Sequence, residues 1–163
     1  MKQTRTLVTG AAGFVGSWLV PALCASGREP FGSDLPGQPA YDPQIAWREC
    51  DLRSRAEVDE LVAAARPDEV VHLAAIASPS QVEGAPLEGL RANYIALDHL
   101  LLALRERAPQ ARLLFVSTGE VYGLSAEAAP PWLETDPLRP MTAYAATKAA
   151  AEQRVQLAIE RDG

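Results

Sequence analysis

The chain has 163 residues, of which 48% are hydrophobic and 22% are charged, proportions typical of a one-domain globular protein. Its formal net charge of −6 argues against a nucleic-acid partner, because binding to a phosphate backbone generally needs a basic surface. No apolar run approaches the length that crosses a bilayer, and the N-terminus leads into a strand pattern rather than a signal peptide. We therefore expect a soluble, cytoplasmic protein with no membrane partner, and Cys24 and Cys50 fit a reducing compartment.

Strand and helix signals alternate along the chain, which is the pattern of a parallel sheet covered by helices. A helix is predicted after the first strand, with Gly27 as its left-handed cap and Pro21 as a bend. Ser54 and Glu57 form a capping-box signature for a second helix, which Pro67 ends. The predicted strands cover 6–9, a segment ending at 34, 45–49, 69–73 and 112–117; the predicted helices cover 14–26, 54–66, 86–109 and 142–161, with loops over 35–43 and 128–140.

Three glycines, Gly10, Gly13 and Gly16, lie between the first predicted strand and the first predicted helix. A dinucleotide pyrophosphate needs such a turn, where no side chain keeps it from the backbone N–H groups and the positive helix end. The alternative is three unrelated loop and packing glycines. With the strand and helix alternation, the turn predicts a Rossmann-type, doubly wound parallel α/β sheet. The candidate contacts at the turn are Gly10, Ala12, Gly13, Phe14, Val15 and Gly16.

Asp34 stands 24 residues after Gly10, at the end of the second predicted strand. A carboxylate there can accept both ribose hydroxyls of the cofactor and would repel a 2′-phosphate, so NAD is favoured over NADP. The alternative is a solvated turn aspartate. Arg28, at the start of the same strand, leaves NADP open as a lesser possibility.

Tyr144 and Lys148 lie four residues apart in the last predicted helix, and therefore on one face. We expect the ammonium to lower the pKa of the phenol, so that Tyr144 can exchange a proton with a carbinol or ketone oxygen during hydride transfer. Thr118, after the fifth strand, could hold that oxygen, and Glu120 could remove a carbon-bound proton. The alternatives are a surface helix pair for Tyr144 and Lys148, and a turn residue for Glu120.

The chain resembles the NAD-dependent epimerase/dehydratase group of extended short-chain dehydrogenases over essentially its whole length. The segments that carry this resemblance are the glycine turn, 51–52, 72–75, 117–123 and the pair of Tyr144 and Lys148. For the fold, we expect about five strands in the order 3-2-1-4-5. The resemblance also implies that Asn93 holds a proton-relay water near Lys148, and His72 is then a strand residue rather than a metal ligand, so no metal site is expected. The other implied cofactor contacts are Asp51 and Leu52 at the adenine, and Leu73, Ala74 and Ala75 at the nicotinamide ribose.

Within this group the chain resembles the GDP-mannose 4,6-dehydratases and the GDP-4-keto-6-deoxymannose reductases, which implies a substrate that is a hexose linked to GDP, dTDP or UDP. Glu120 matches the dehydratase base. Gly119, however, stands where dTDP-glucose dehydratases carry an acidic residue and GDP-mannose dehydratases carry a hydroxyl. An epimerase or a 4-keto reductase, which needs only Thr118, Tyr144 and Lys148, is therefore at least as economical as a dehydratase.

Members of this group are longer than this chain, which stops after the helix of Tyr144. We therefore expect residues 1–163 to form an NAD(P)-binding domain, truncated before the substrate-binding lobe. The expected function is an NAD-dependent nucleotide-sugar epimerase, dehydratase or reductase, and the alternative is an NAD-binding module without turnover of its own. A homodimer through the two long helices is a further expectation.

Overall fold

The computed structural model describes residues 3–38, 40, 45–123 and 131–162. Its strands form one parallel sheet in the order β3-β2-β1-β4-β5. This confirms the predicted sheet and strand order. The strands are β1 Arg5–Thr9, β2 Glu29–Asp34, β3 Ala46–Glu49, β4 Glu69–His72 and β5 Arg112–Phe115.

The helices lie where the apolar periodicity predicted them, with one addition, a six-residue helix that Ser78 caps by accepting a hydrogen bond from the Gln81 N–H. The long helix predicted over 86–109 is interrupted by a π-helical turn, Arg91–Ile95. A 3₁₀ turn, Gly119–Tyr122, follows β5. The α-helices are α1 Phe14–Ala25, α2 Arg55–Ala65, α3 Pro79–Gly84, α4 Pro86–Leu90, α5 Ala96–Arg107 and α6 Ala143–Asp162.

Helices cover both faces of the sheet, because neighbouring side chains of a strand point to opposite faces. Leu7 of β1 packs in a buried cluster with Val58 of α2 and Leu100 of α5. The next residue, Val8, packs with Val20 of α1 in a second cluster. The sheet is therefore doubly wound, as predicted.

Two predicted helix ends have different outcomes. Gly27 follows α1 with a φ of +77°, which confirms the left-handed cap. The capping box before α2 is wrong, because the Ser54 side chain makes no capping hydrogen bond and Glu57 instead accepts one from the Asp51 N–H at 2.8 Å. Glu57 thus fixes the segment after β3 rather than the helix end.

The carboxyl ends of all the strands lie along one edge of the sheet, since the strands are parallel. Ligands of open α/β sheets bind outside this edge. The predicted loops over 35–43 and 128–140 fall partly on 39, 41–43 and 128–130, which lie outside the described residues. Among the helices of the described ranges, none combines the length and the hydropathy needed to span a bilayer.

Candidate functional site

The turn between β1 and α1 can be built only with glycine at two positions. Gly10 has a φ of +71°, and a Cβ there would lie 2.7 Å from the Ala74 backbone nitrogen. A Cβ at Gly16 would collide with the backbone of Ala11. Gly13, the residue before α1, is exposed, and its N–H donates to the Gly10 carbonyl at 3.1 Å. The turn therefore presents bare backbone at the carboxyl edge of the sheet.

The first two residues of α1 are exposed to solvent. Phe14 is 82% exposed and Val15 is 56% exposed. The first N–H groups of a helix have no partner inside the helix, and they carry the positive end of its dipole. Gly16 is the next residue of this first helical turn. An anionic group could be bound here by backbone N–H groups alone.

Asp34 is fixed beside the glycine turn. One carboxylate oxygen, Oδ2, accepts from the Ala12 N–H at 3.0 Å, and the other, Oδ1, accepts from the Leu35 N–H at 2.8 Å. Each oxygen keeps the capacity to accept a further hydrogen bond. Arg28 lies at the opposite end of β2, where its Nε is 3.0 Å from Glu69 Oε2. The structure thus brings Asp34, but not Arg28, to the turn.

One cavity connects the glycine turn with the ends of β2, β3 and β4. It contains most of the predicted cofactor contacts: Gly10, Gly13, Asp34, Asp51, Leu52, Leu73, Ala74 and Ala75. Its lining also includes residues that the sequence did not single out: Thr9, Ser33, Leu35, Cys50, Arg53, Ile76, Ala92 and Ala96. The remaining candidates lie outside this lining: Ala12, Phe14, Val15, Gly16, Asn93, Thr118, Glu120, Tyr144 and Lys148.

Arg53 is the charged lining residue that sequence reasoning missed. Its Nε lies 2.9 Å from Asp51 Oδ1 and its Nη2 lies 2.8 Å from Asp51 Oδ2. Hydrogen bonds from this guanidinium hold the pKa of Asp51 below its usual range. Its position next to Asp51 and Leu52 is the one sequence signal that could have found it. Because Asp51 pairs with it, Arg53 brings no unpaired positive charge to the cavity.

Asn93, in the π-helical turn, is 1% exposed and connects two parts of the site. Its Oδ1 accepts from the Ile76 N–H at 2.8 Å, and its Nδ2 donates to the Ile76 carbonyl at 3.2 Å and to Thr147 Oγ1 at 3.0 Å. Thr147 in turn donates to the Tyr144 carbonyl at 2.7 Å. Asn93 therefore ties the segment after β4 to the helix that carries Tyr144 and Lys148. Its predicted contact with a relay water stays a prediction.

Thr118, Glu120 and Tyr144 come together beyond the end of β5. The Thr118 hydroxyl accepts from the Glu120 N–H at 3.3 Å, and it lies close enough to the Tyr144 phenol to lower the pKa of that group. Glu120 is exposed, and its Oε2 accepts from Thr142 Oγ1 at 3.4 Å. Tyr144 is 8% exposed. The structure thus brings Thr118 and Tyr144 near each other, and their predicted roles at the substrate oxygen stay predictions.

The pKa of Tyr144 is raised rather than lowered, which corrects the expectation from its spacing to Lys148. Burial raises it, the hydrogen bond with Thr118 lowers it, and the nearby carboxylate of Glu120 raises it. The expected lowering by Lys148 is absent because its ammonium lies elsewhere. Lys148 Nζ donates to the Val116 carbonyl at 2.6 Å and lies 4.4 Å from the centroid of the Phe115 ring.

Lys148 is 5% exposed, and burial lowers its pKa to about 8, while Glu152 on the same helix acts in the opposite direction. An ammonium with such a pKa is still mostly protonated at pH 7. Within the described ranges, no group of three or more His, Cys, Asp or Glu side chains is arranged to hold a metal ion. His72 has a hydroxyl neighbour instead, Thr9 Oγ1, at 2.8 Å from its Nδ1.

Residues 6–163 match the protein-family model of the NAD dependent epimerase/dehydratase family. The dTDP-glucose 4,6-dehydratase of Neisseria gonorrhoeae is 33% identical over 94% of this chain and 50% of its own length. The GDP-6-deoxy-D-mannose reductase of Pseudomonas aeruginosa is 35% identical over 91% of this chain and 45% of its own length. The chain thus spans about half the length of the curated relatives it matches.

Solved structures are also similar to this chain over about half of their own length. The UDP-glucose 4-epimerase of Thermus thermophilus, in complex with NAD, is similar with a TM-score of 0.87 at 35% identity, over 94% of this chain and 50% of that chain. The UDP-glucose 4-epimerase of Brucella ovis, in complex with NAD, is similar with a TM-score of 0.90 at 26% identity, over 98% of this chain and 49% of that chain. The names of these relatives include UDP, dTDP and GDP sugars, so similarity alone selects no nucleotide.

Proposed function

We propose that this chain, which belongs to the NAD dependent epimerase/dehydratase family, binds NAD at its glycine turn and supplies the groups for hydride transfer at a carbon of a nucleotide-linked hexose. The observation that carries the proposal is the single cavity that joins Gly10, Asp34 and Ala74 at the carboxyl edge of the sheet. Solved relatives that are complexes with NAD support it.

Within that cavity each end of the dinucleotide has candidate partners. The N–H groups of the turn and of the first turn of α1 would bind the pyrophosphate, and the Asp34 carboxylate would accept the ribose hydroxyls. A 2′-phosphate would be repelled by Asp34, which favours NAD over NADP. The other proposed contacts are Asp51 and Leu52 at the adenine, Leu73, Ala74 and Ala75 at the nicotinamide ribose, and Asn93, Tyr144 and Lys148 nearby.

The chemistry that bound NAD supplies is hydride transfer. The proton moves separately, and Tyr144 is the proposed acid or base. The phenol is protonated at neutral pH even at its ordinary pKa of 10.0, and burial raises that pKa further, so Tyr144 would act first as the proton donor to a ketone oxygen. Thr118, whose hydroxyl acts on the pKa of the phenol, would hold that oxygen. Lys148, still mostly protonated near pH 7, would add a positive charge at the end of β5, on the same helix as Tyr144.

Three reaction types use these residues. Epimerisation and reduction of a 4-keto sugar need Thr118, Tyr144 and Lys148, whereas dehydration also needs a base for a carbon-bound proton, for which Glu120 is the candidate. Gly119 has open space where a Cβ would be, with no atom within 4 Å. The site therefore has room at this position for the side chain that a dehydratase carries, but the glycine does not provide one. Reduction or epimerisation thus remains at least as economical as dehydration.

The full chain, mixed with NAD or NADH and with GDP-, dTDP- or UDP-linked hexoses and 4-keto-hexoses, tests this function. The expected result is a change in at least one sugar with the wild-type chain: either net oxidation of NADH by a 4-keto-hexose, followed by absorbance, or an epimerised or dehydrated hexose, followed by chromatography, because the last two reactions return the cofactor to NAD. Tyr144→Phe should abolish that change and leave NAD affinity within about threefold, because the phenolic oxygen serves proton transfer more than binding. Equal rates in the two proteins would contradict the role of Tyr144.

A second function is an NAD-binding module without turnover, in which this chain is the cofactor-binding domain alone. The observation that favours it is the coverage of about half the length of the relatives. NAD binding without chemical conversion of any of the sugars would support this second function. Failure to bind NAD would contradict both.

We also propose that a second copy of the chain packs against the long helices α5 and α6. Leu157 and Ile159 of α6 are 59% and 56% exposed, an unusual position for large apolar side chains on a helix. Leu157→Glu should convert the dimer to a monomer in light scattering. Met141→Glu is the matched control, since Met141 is 71% exposed but lies outside these helices. A monomeric wild-type chain would contradict the proposal.

A further inference from the structure

The ammonium of Lys148 lies at the end of β5, where two uncharged groups meet it. Its Nζ donates to the Val116 carbonyl at 2.6 Å, and the Phe115 ring centroid is 4.4 Å away. An aromatic ring attracts a cation through the negative potential of its face. Because Lys148 is only 5% exposed, this attraction is screened little by water. The contact with Phe115 therefore contributes more here than it would on the surface.

Phe115 is itself in contact with a buried aromatic ring. The ring of His72 is stacked with that of Phe115, with centroids 6.2 Å apart and 23° between their planes. His72 and Phe115 are paired residues of the neighbouring strands β4 and β5. The arrangement continues across the sheet to Thr9 of β1, whose Oγ1 lies 2.8 Å from His72 Nδ1. Side chains from these three strands thus form a chain that ends at Lys148.

The hydrogen bonds of Thr9 indicate how His72 is oriented. The Ala74 N–H donates to Thr9 Oγ1 at 3.4 Å, so the hydroxyl hydrogen is free to be donated to His72 Nδ1. Burial, and then the charge of Lys148, lower the pKa of His72 to about 3. His72 is 3% exposed and is therefore neutral at physiological pH. A neutral ring supports Phe115 without repelling the ammonium.

We propose that Phe115 is a positioning residue for Lys148, whose ammonium its ring holds against the end of β5, and that His72, stacked on Phe115, fixes that ring. The role of Lys148 in hydride transfer rests on the proposed function, whereas the placement of its ammonium does not. The titratable groups whose charges act on it or respond to it are His72 on β4 and Glu152 on its own helix, while Tyr144 lies one turn earlier on that helix and faces Glu120.

The test measures how Lys148 titrates when the ring is changed electronically but not in shape. Fluorinated phenylalanines incorporated at 115 weaken the negative potential of the ring face step by step. Lys148 reactivity toward an acylating reagent is followed against pH by mass spectrometry, with Lys2, the other lysine of the chain, as internal standard. The expected result is a stepwise fall in the midpoint and a rise in neutral-amine reactivity at pH 7 of about three- to tenfold.

A purely structural role for Phe115 would change thermal stability without changing this midpoint. A midpoint that stays constant across the fluorinated series, while the variants remain folded, overturns the proposal. Substitutions of His72 test its part. His72→Phe keeps a stacked ring and should leave the midpoint close to that of the wild type, whereas His72→Ala should shift it by more. Equal shifts in the two variants would remove His72 from the arrangement.

NAD affinity, measured on the same proteins, separates this proposal from the proposed function. A chain that does not bind NAD but shows the stepwise titration loses the proposed function and keeps the positioning of Lys148 by Phe115. A chain that binds NAD and shows a constant midpoint keeps the cofactor site and loses the positioning role.

Discussion

The glycine turn and the helix α6 meet at the same edge of the sheet but are held there by different forces. At the turn, backbone shape decides, since Gly10 has a φ of +71° and the Asp34 carboxylate accepts two backbone N–H groups. On α6, buried polar side chains decide, since Tyr144 is 8% and Lys148 is 5% exposed. The turn is therefore sensitive to added atoms, whereas α6 is sensitive to charge and pH.

The largest effect should come from an added methyl group at the turn. Gly10→Ala combines a disfavoured positive φ with a Cβ 2.7 Å from the Ala74 nitrogen, and should lower the free energy of unfolding by about 3 kcal/mol or more and abolish NAD binding. Gly27→Ala is the matched control, because Gly27 has a φ of +77° but no atom within 4 Å of a Cβ. It should lose only about 1 kcal/mol in urea unfolding. Equal losses would show that the contact with Ala74 does not matter.

The next effect is a pH dependence of the free energy of unfolding, which we expect from α6 but not from the turn. Lys148 has a pKa of about 8 in the folded chain against an ordinary 10.5, so the unfolded chain binds more protons between these values. The free energy of unfolding should therefore rise as pH increases from about 8 to 10.5, by an amount on the order of 2 kcal/mol. Lys148→Met should lack this rise, whereas groups elsewhere titrate equally in both proteins. Parallel pH profiles of the two proteins would contradict the burial of a charged Lys148.

A smaller effect is expected at Asp34, where charge and turn geometry act together. Asp34→Ala should weaken NAD binding by about ten- to a hundredfold in calorimetry, because a carboxylate acceptor for the ribose is lost. NADP should lose less, since the repulsion of its 2′-phosphate is lost too. Asp34→Asn keeps one acceptor oxygen and should lie between. Equal losses for NAD and NADP would mean that Asp34 only supports the turn.

The smallest effect concerns the titration of Tyr144, followed as tyrosinate absorbance in each protein against a matched protein that also carries Tyr144→Phe. The midpoint should lie above the ordinary 10.0. Thr118→Val should raise it further because a lowering hydrogen bond is lost, and Glu120→Gln should lower it because a negative charge is lost, each by less than about one pH unit. Shifts of the opposite sign would contradict the arrangement of these three residues.

The features that local chain geometry fixes were predictable from the sequence. The glycine turn and the end of β2 at Asp34 follow from spacing, strand–helix alternation and turn chemistry, the strand order was implied by the family resemblance, and the structure confirms all three. The capping box failed because Glu57 has a competing partner, the Asp51 N–H, that only tertiary structure brings near.

The contacts around α6 could not be predicted from the sequence in the same way. The spacing of Tyr144 and Lys148 predicts one helix face but says nothing of the end of β5, where the Phe115 ring and the carbonyl of the next residue, Val116, contact the ammonium. The direction of the Tyr144 pKa shift was therefore wrong. Arg53 and the short helix α3 were missed because neither has an apolar period or a motif of its own.

Hydrogen exchange of the wild-type chain with and without NAD tests the central claim most directly. We predict that NAD slows exchange of the backbone amides over 10–16 and over 73–76, which are the turn and the segment after β4 that line or adjoin one cavity. NAD binding that leaves the exchange of both segments unchanged, or no binding of NAD, would contradict it.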